Sequence, residues 1–154
     1  MPGYRGHALG AFGLSIPLVF VAVWWGVSPI MLVVDVAFMV WGAFFPYVDT
    51  SGRGRRFFYA LLLMFILVCL LVKSVWMAGA CAAVGVLASL SRHRGIFHNL
   101  YFLFFLVAGM CGWLFFIIPN FRSEILQVGL FFFLGCFSHI FMDFGWRRTF
   151  LWRS

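Results

Sequence analysis

Four histidines, His7, His93, His98 and His139, interrupt a chain of 154 residues that is otherwise dominated by apolar runs. Two of them share one stretch, Ser91-Arg92-His93-Arg94-Gly95-Ile96-Phe97-His98-Asn99, where two arginines and a glycine also break the apolar sequence. A third, His139, has Asp143 four residues further on, and on a helix that spacing points both side chains the same way. Such a pair either shares a metal or uses the carboxylate to orient the imidazole. Imidazole and carboxylate without thiolate suit zinc, manganese or iron. A catalytic metal keeps one position open for water and lowers that water's pKa enough to supply a nucleophile near neutral pH. His93 and His98, five residues apart, would point about 140° apart on a regular helix. Gly95 offers a break, so His93 is expected in a loop and His98 on the first turn of the next helix, both facing one centre. The free N–H groups of that helix start would form an anion site. Arg92 and Arg94 flank it, and guanidinium suits phosphate. The plainer reading of the stretch is a basic turn between two membrane helices.

The elements that must position these residues are membrane helices. The chain is 65% hydrophobic and 10% charged, with a mean hydropathy of +1.07, whereas a soluble domain carries about 25% charged residues. So little charge cannot cover a water-facing surface, which makes this an integral membrane protein of a single domain, residues 1–154. The 22 phenylalanines suit lipid-facing surfaces. Cys69, Cys81, Cys111 and Cys136 lie singly in apolar runs, with no C-x-x-C pair, and read as small buried residues. Arg5 ahead of an apolar run faintly resembles a signal peptide. No small-residue cleavage site follows it, so the segment reads as a retained first helix.

A spanning helix needs about 20 mostly apolar residues. Six segments qualify, with approximate limits Ala8–Val27, Ile30–Phe45, Phe57–Val72, Val75–Leu90, His98–Ile118 and Ile125–Gly145. The third and fourth meet at a very tight Lys73-Ser74 turn, so one of them is a candidate re-entrant or tilted segment and the count is six or five. With both termini in the cytoplasm, nine of the eleven basic residues fall inside, and only Lys73 and Arg122 fall outside. This bias is the positive-inside rule, and an odd helix count would scatter the arginines over both faces. It also accounts for the net charge of +7 without nucleic acid, which no basic run or recognisable module supports. The expected fold is an all-α polytopic bundle, with a bacterial cytoplasmic membrane as its setting. The small-residue run Ala78–Gly85 lets helices approach closely. It marks the fourth helix as one buried at the bundle centre or, second, as a dimer seam.

On this topology His7, Asp49, His93, His98, His139 and Asp143 all fall at the inner face, while Asp35 and Glu124 fall at the other. Histidine and aspartate inside a membrane are costly and are usually functional. Three segments also resemble motifs of the membrane-bound metal-dependent hydrolases of the YdjM-like group. That family has an N-terminal histidine, then L-P-D-x-D-H, H-R-G-x-T-H-S and G-x-x-S-H-x-x-x-D. Here His7 stands for the first. The others read Phe45-Pro46-Tyr47-Val48-Asp49-Thr50, His93-Arg94-Gly95-Ile96-Phe97-His98-Asn99, and Gly135-Cys136-Phe137-Ser138-His139-Ile140-Phe141-Met142-Asp143. Tyr47 replaces an acid, Thr50 a histidine, Phe97 a threonine and Asn99 a serine.

The resemblance implies a metal-dependent hydrolase. Residues and resemblance together nominate Asp49, His98, His139 and Asp143 as metal ligands, with His7 as an accessory ligand. His93 and Arg94 are the catalytic candidates, His93 as general acid/base or a further ligand. Arg92 and Arg94 are the expected substrate contacts. Zinc is the first choice of metal, manganese or iron the alternatives. The expected substrate is lipid-linked or a phosphoester that reaches the interface from the bilayer. The competing reading is a non-catalytic subunit whose degenerate or structural metal site latches its helices, with a partner subunit or a second copy on the Phe-rich surface. Transport would need polar residues through the membrane depth, and apart from Asp35 the outer halves lack them.

Overall fold

The computed structural model describes residues 3–49, 52–90 and 96–150, without the side chains of 49 and 146–150. Six helices account for nearly all of it, and no strand occurs among the described residues. They are α1 (Tyr4–Trp24), α2 (Pro29–Phe44), α3 (Arg53–Leu71), α4 (Val75–Ser89), α5 (Leu100–Ile117) and α6 (Arg122–Phe150). All but α4 are long and apolar enough to cross a membrane, α2 together with the 3-10 residues that extend it to Val48, so the chain is an integral membrane protein. At 15 residues, α4 rises only about 22 Å, short of a hydrocarbon core of about 30 Å. Of the third and fourth segments, one of which the tight turn marked as a candidate re-entrant or tilted segment, α4 is the one too short to span.

Local chemistry sets several boundaries. Ser28 caps α2 by accepting from the Met31 N–H, with Pro29 at the first helical position. α1 closes when Gly26, at φ 78°, lets Val27 N–H reach Ala22 O and Gly26 N–H reach Val23 O. The same paired closure ends α3, with Ser74 N–H on Cys69 O and Lys73 N–H on Leu70 O. Lys73 occupies the left-handed position at φ 59°, which is how two residues suffice for the α3–α4 turn. The basic residues Arg53, Arg55 and Arg56, expected in a loop, instead form the first turn of α3. Arginine is a good helix former, and its long side chain reaches water from a helix end. Gly145, at φ 67° and ψ 176°, breaks α6 where the sixth span was expected to stop.

α2 and α6 form the central pair. Gly42 sits against the Phe132 carbonyl and Gly135 against the Met39 carbonyl, so closely that a Cβ on either would collide with the facing backbone. α1 packs on both helices and α5 on α6, while α3 carries α4 on its outer side. A core cluster joins Phe44, Phe45, Phe58, Ala88, Phe97, Leu100 and Ile140. It gathers the C-terminal ends of α2, α4 and α6 with the N-terminal ends of α3 and α5 at one end of the bundle. Arg5, Arg53, Arg55 and Arg56 lie at this basic end.

The expectation that the small-residue helix α4 lies at the centre is corrected. Val75, Val86, Leu87 and Leu90 on it are exposed, and a Cβ on Gly79 would meet nothing. Close approach needs a facing backbone in register, and α2 and α6 supply it through only two glycines.

Candidate metal centre

His7 enters from the first turns of α1, Asp143 and His139 from the last turns of α6, and Tyr47 from the 3-10 turn Phe45–Asp49 that ends α2. Gly10 makes room for the α1 approach, since a side chain there would strike Met142. The seam at Gly42 and Gly135 brings His139 against α2, where its Nδ1 donates to the Ala43 carbonyl at 2.7 Å. A carbonyl only accepts, so this bond fixes a proton on Nδ1, and in the neutral ring it leaves a lone pair on Nε2. That Nε2 is buried without a hydrogen bond, 3.4 Å from Asp143 Oδ2. His7 Nε2 lies 3.2 Å from the other carboxylate oxygen, Oδ1. Both imidazoles are at most 1% exposed, against 11% for Asp143.

The donor atoms of His7, His139 and Asp143 lie within 4.8 Å of one another. Metal–nitrogen and metal–oxygen bonds of 2.0–2.1 Å at tetrahedral angles put ligand atoms roughly 3.4 Å apart, and each imidazole stands at about that distance from its own carboxylate oxygen, 3.2 Å to Oδ1 and 3.4 Å to Oδ2. A bond from the far ring nitrogen to a backbone carbonyl is also the usual support of a metal-ligating histidine. The group therefore fits a divalent metal with three protein ligands and an open position.

Ring packing completes the enclosure. His7 and His139 stack at 4.0 Å and 15°. The edge of Tyr47 meets His139 at 4.6 Å and His7 at 5.6 Å. Gly54 at the start of α3 makes room for that ring. His98 stands edge-on to His139 at 5.7 Å and beside Phe144 at 6.4 Å.

Of the predicted residues, the structure brings together His7, His139 and Asp143, with His98 adjacent and outside the close group. The backbone of Asp49 ends the turn carrying Tyr47; its side chain lies outside the described residues, as do Arg92, His93 and Arg94. Two expectations about the second stretch are corrected. His98 belongs to a 3-10 turn, Ile96–His98, and α5 starts only at Leu100. Asn99 caps α5, and its side chain accepts from the N–H groups of Tyr101 at 2.9 Å and Phe102 at 3.2 Å. Those two donors of the expected anion site are thus already engaged. Phe97, in place of a polar residue, is buried against Phe45 and Phe102 at 5.5 Å each and anchors the turn.

No protein-family model, curated protein or solved structure matches the chain.

Sequence reasoning missed two participants. The Ala43 carbonyl carries no side-chain signal at all. Tyr47 stood out only as a departure from an acidic position, yet it forms a wall of the site.

Proposed function

We propose that His7, His139 and Asp143 bind one divalent metal, zinc first among the candidates, and that the protein is a membrane-bound metal-dependent hydrolase. The observation that carries this reading is the buried Nε2 of His139, held by the Ala43 bond with its lone pair toward a carboxylate. A neutral His139 and an ionised Asp143 face each other as two acceptors, and a cation between them, a metal ion or a proton, relieves the repulsion. A bound metal supplies that charge and lowers the pKa of its water.

The residues of the chain then divide the work. The Ala43 bond fixes the His139 tautomer, and Tyr47 keeps bulk water from the ring faces. His98 is a further ligand or a proton carrier beside the group. His93 serves as general acid/base and Arg92 and Arg94 as contacts for an anionic headgroup, as the motif resemblance implies. The substrate class is a lipid-linked phosphoester presented at the cytoplasmic face of a bacterial inner membrane. The test is metal content together with lipid-phosphoester hydrolysis, for wild type and for His139→Ala. Metal and activity lost together support the reading, and activity that survives chelation refutes it.

One observation favours a second reading. The stacked rings of His7 and His139 point their lone pairs nearly parallel, as in a proton-bridged His–Asp–His latch. In that case the cluster joins α1 to α6 and the protein is a non-catalytic membrane subunit.

A further inference from the structure

A cleft of about 340 Å³, partly open, lies between α2, α3, α4, α5 and α6, with Phe45 at the start of the Phe45–Asp49 turn in its lining. One stripe of α2 runs along it, Met31, Val34, Phe38, Trp41 and Phe45. The cleft follows α2 for about 21 Å, the rise from Met31 to Phe45 at 1.5 Å per residue. Its walls are apolar, apart from the indole of Trp113, Trp41 near one end and Glu124 at the other. The indole Nε1 of Trp41 is buried without a hydrogen-bond partner. A buried orphan donor costs about 1–3 kcal/mol, which an acceptor on a bound molecule removes.

We propose that this cleft seats one acyl chain of a glycerophospholipid, with the chain's ester carbonyl accepting from Trp41 Nε1. Trp41 is four residues, about 6 Å, from the end of the stripe at Phe45, which suits an ester placed near the basic face with its tail running toward Met31. The hydrocarbon of an isoprenoid offers no acceptor at that depth. Phe45 packs on Phe97 at 5.5 Å, and Tyr47, two residues on, meets His139. A lipid so seated presents its headgroup beside the histidine–aspartate group. That last placement alone rests on the metal reading; the tail site stands without it.

The test uses the full chain, purified in detergent and washed extensively, with bound lipid measured by mass spectrometry and metal measured in the same samples. The expected result is about one phospholipid per chain. Ala80→Trp, which fills the cleft from α4, lowers it at least fivefold. Val86→Trp, on the exposed face of α4, leaves it unchanged, and Trp41→Phe lowers it about threefold. Phosphatidylglycerol with a mid-chain diazirine, in nanodiscs of wild-type protein, labels Phe65, Met110 and Cys111 at least fivefold more than exposed Phe20 and Leu71. That pattern decides the matter even if Ala80→Trp fails to fold. Uniform labelling, or an Ala80→Trp protein that keeps its lipid, overturns the inference. Metal without retained lipid overturns it and leaves the metal reading intact; lipid without metal does the reverse.

Discussion

Two buried polar clusters hang on the same helix pair, and they differ in what completes them. Toward the end opposite the arginines, Asp35 of α2 is fully buried and accepts from the Gln127 amide of α6. About 12 Å along α2, counting eight residues from Asp35 to Ala43, His139 binds the Ala43 carbonyl and turns its other nitrogen toward Asp143. In the first cluster a donor meets an acceptor, Gln127 on Oδ2 of Asp35, and that bond pins two helices while Oδ1 stays buried without a hydrogen-bond partner. In the second, with the His139 ring neutral, an acceptor meets an acceptor, and a second imidazole stands on the other carboxylate oxygen. Burial alone does not mark a functional carboxylate; the mismatch of donors and acceptors around it does.

The largest effect expected from breaking this contrast comes from the seam that both clusters share. Gly135→Val forces a branched side chain into the α2 backbone and should cost about 3 kcal/mol or more, read as failure to recover folded protein from detergent. Next, Asp143→Asn should lower bound metal more than tenfold while Asp35→Asn leaves it unchanged, by elemental analysis of both proteins at equal purity. Equal loss in the two would erase the distinction. Gln127→Leu removes the only side-chain donor on Asp35 among the described residues and should cost about 1–3 kcal/mol, seen as a lower Tm with metal content retained. The smallest effect is expected at the α5 cap. Asn99→Ala should cost about 1 kcal/mol and leave metal content within twofold, because Asn99 serves the backbone and not the centre.

The legible part of this molecule was the part written in side-chain pattern. Apolar run length marked six helices, because crossing a bilayer is a length requirement, and the tight Lys73-Ser74 turn singled out the third and fourth as the unusual pair. The i,i+4 spacing of His139 and Asp143 placed both on one face, and topology added His7. Which helices touch was not legible. Small residues in α4 looked like a packing surface, but close contact depends on two backbones meeting in register, and Gly42 and Gly135 are unremarkable singly in sequence. The bond from His139 to a backbone carbonyl was equally hidden, since every residue but proline offers the same groups. Asn99 read as the loss of a motif serine, yet as a cap it performs a different job.

The central claim is that the His7–His139–Asp143 group holds a metal, and elemental analysis of wild-type protein purified without chelator tests it most directly. The expected result is about one equivalent of a divalent transition metal per chain, absent from the Asp143→Asn protein. Wild-type protein that carries none, and takes up none on incubation with zinc, manganese or iron, would contradict it.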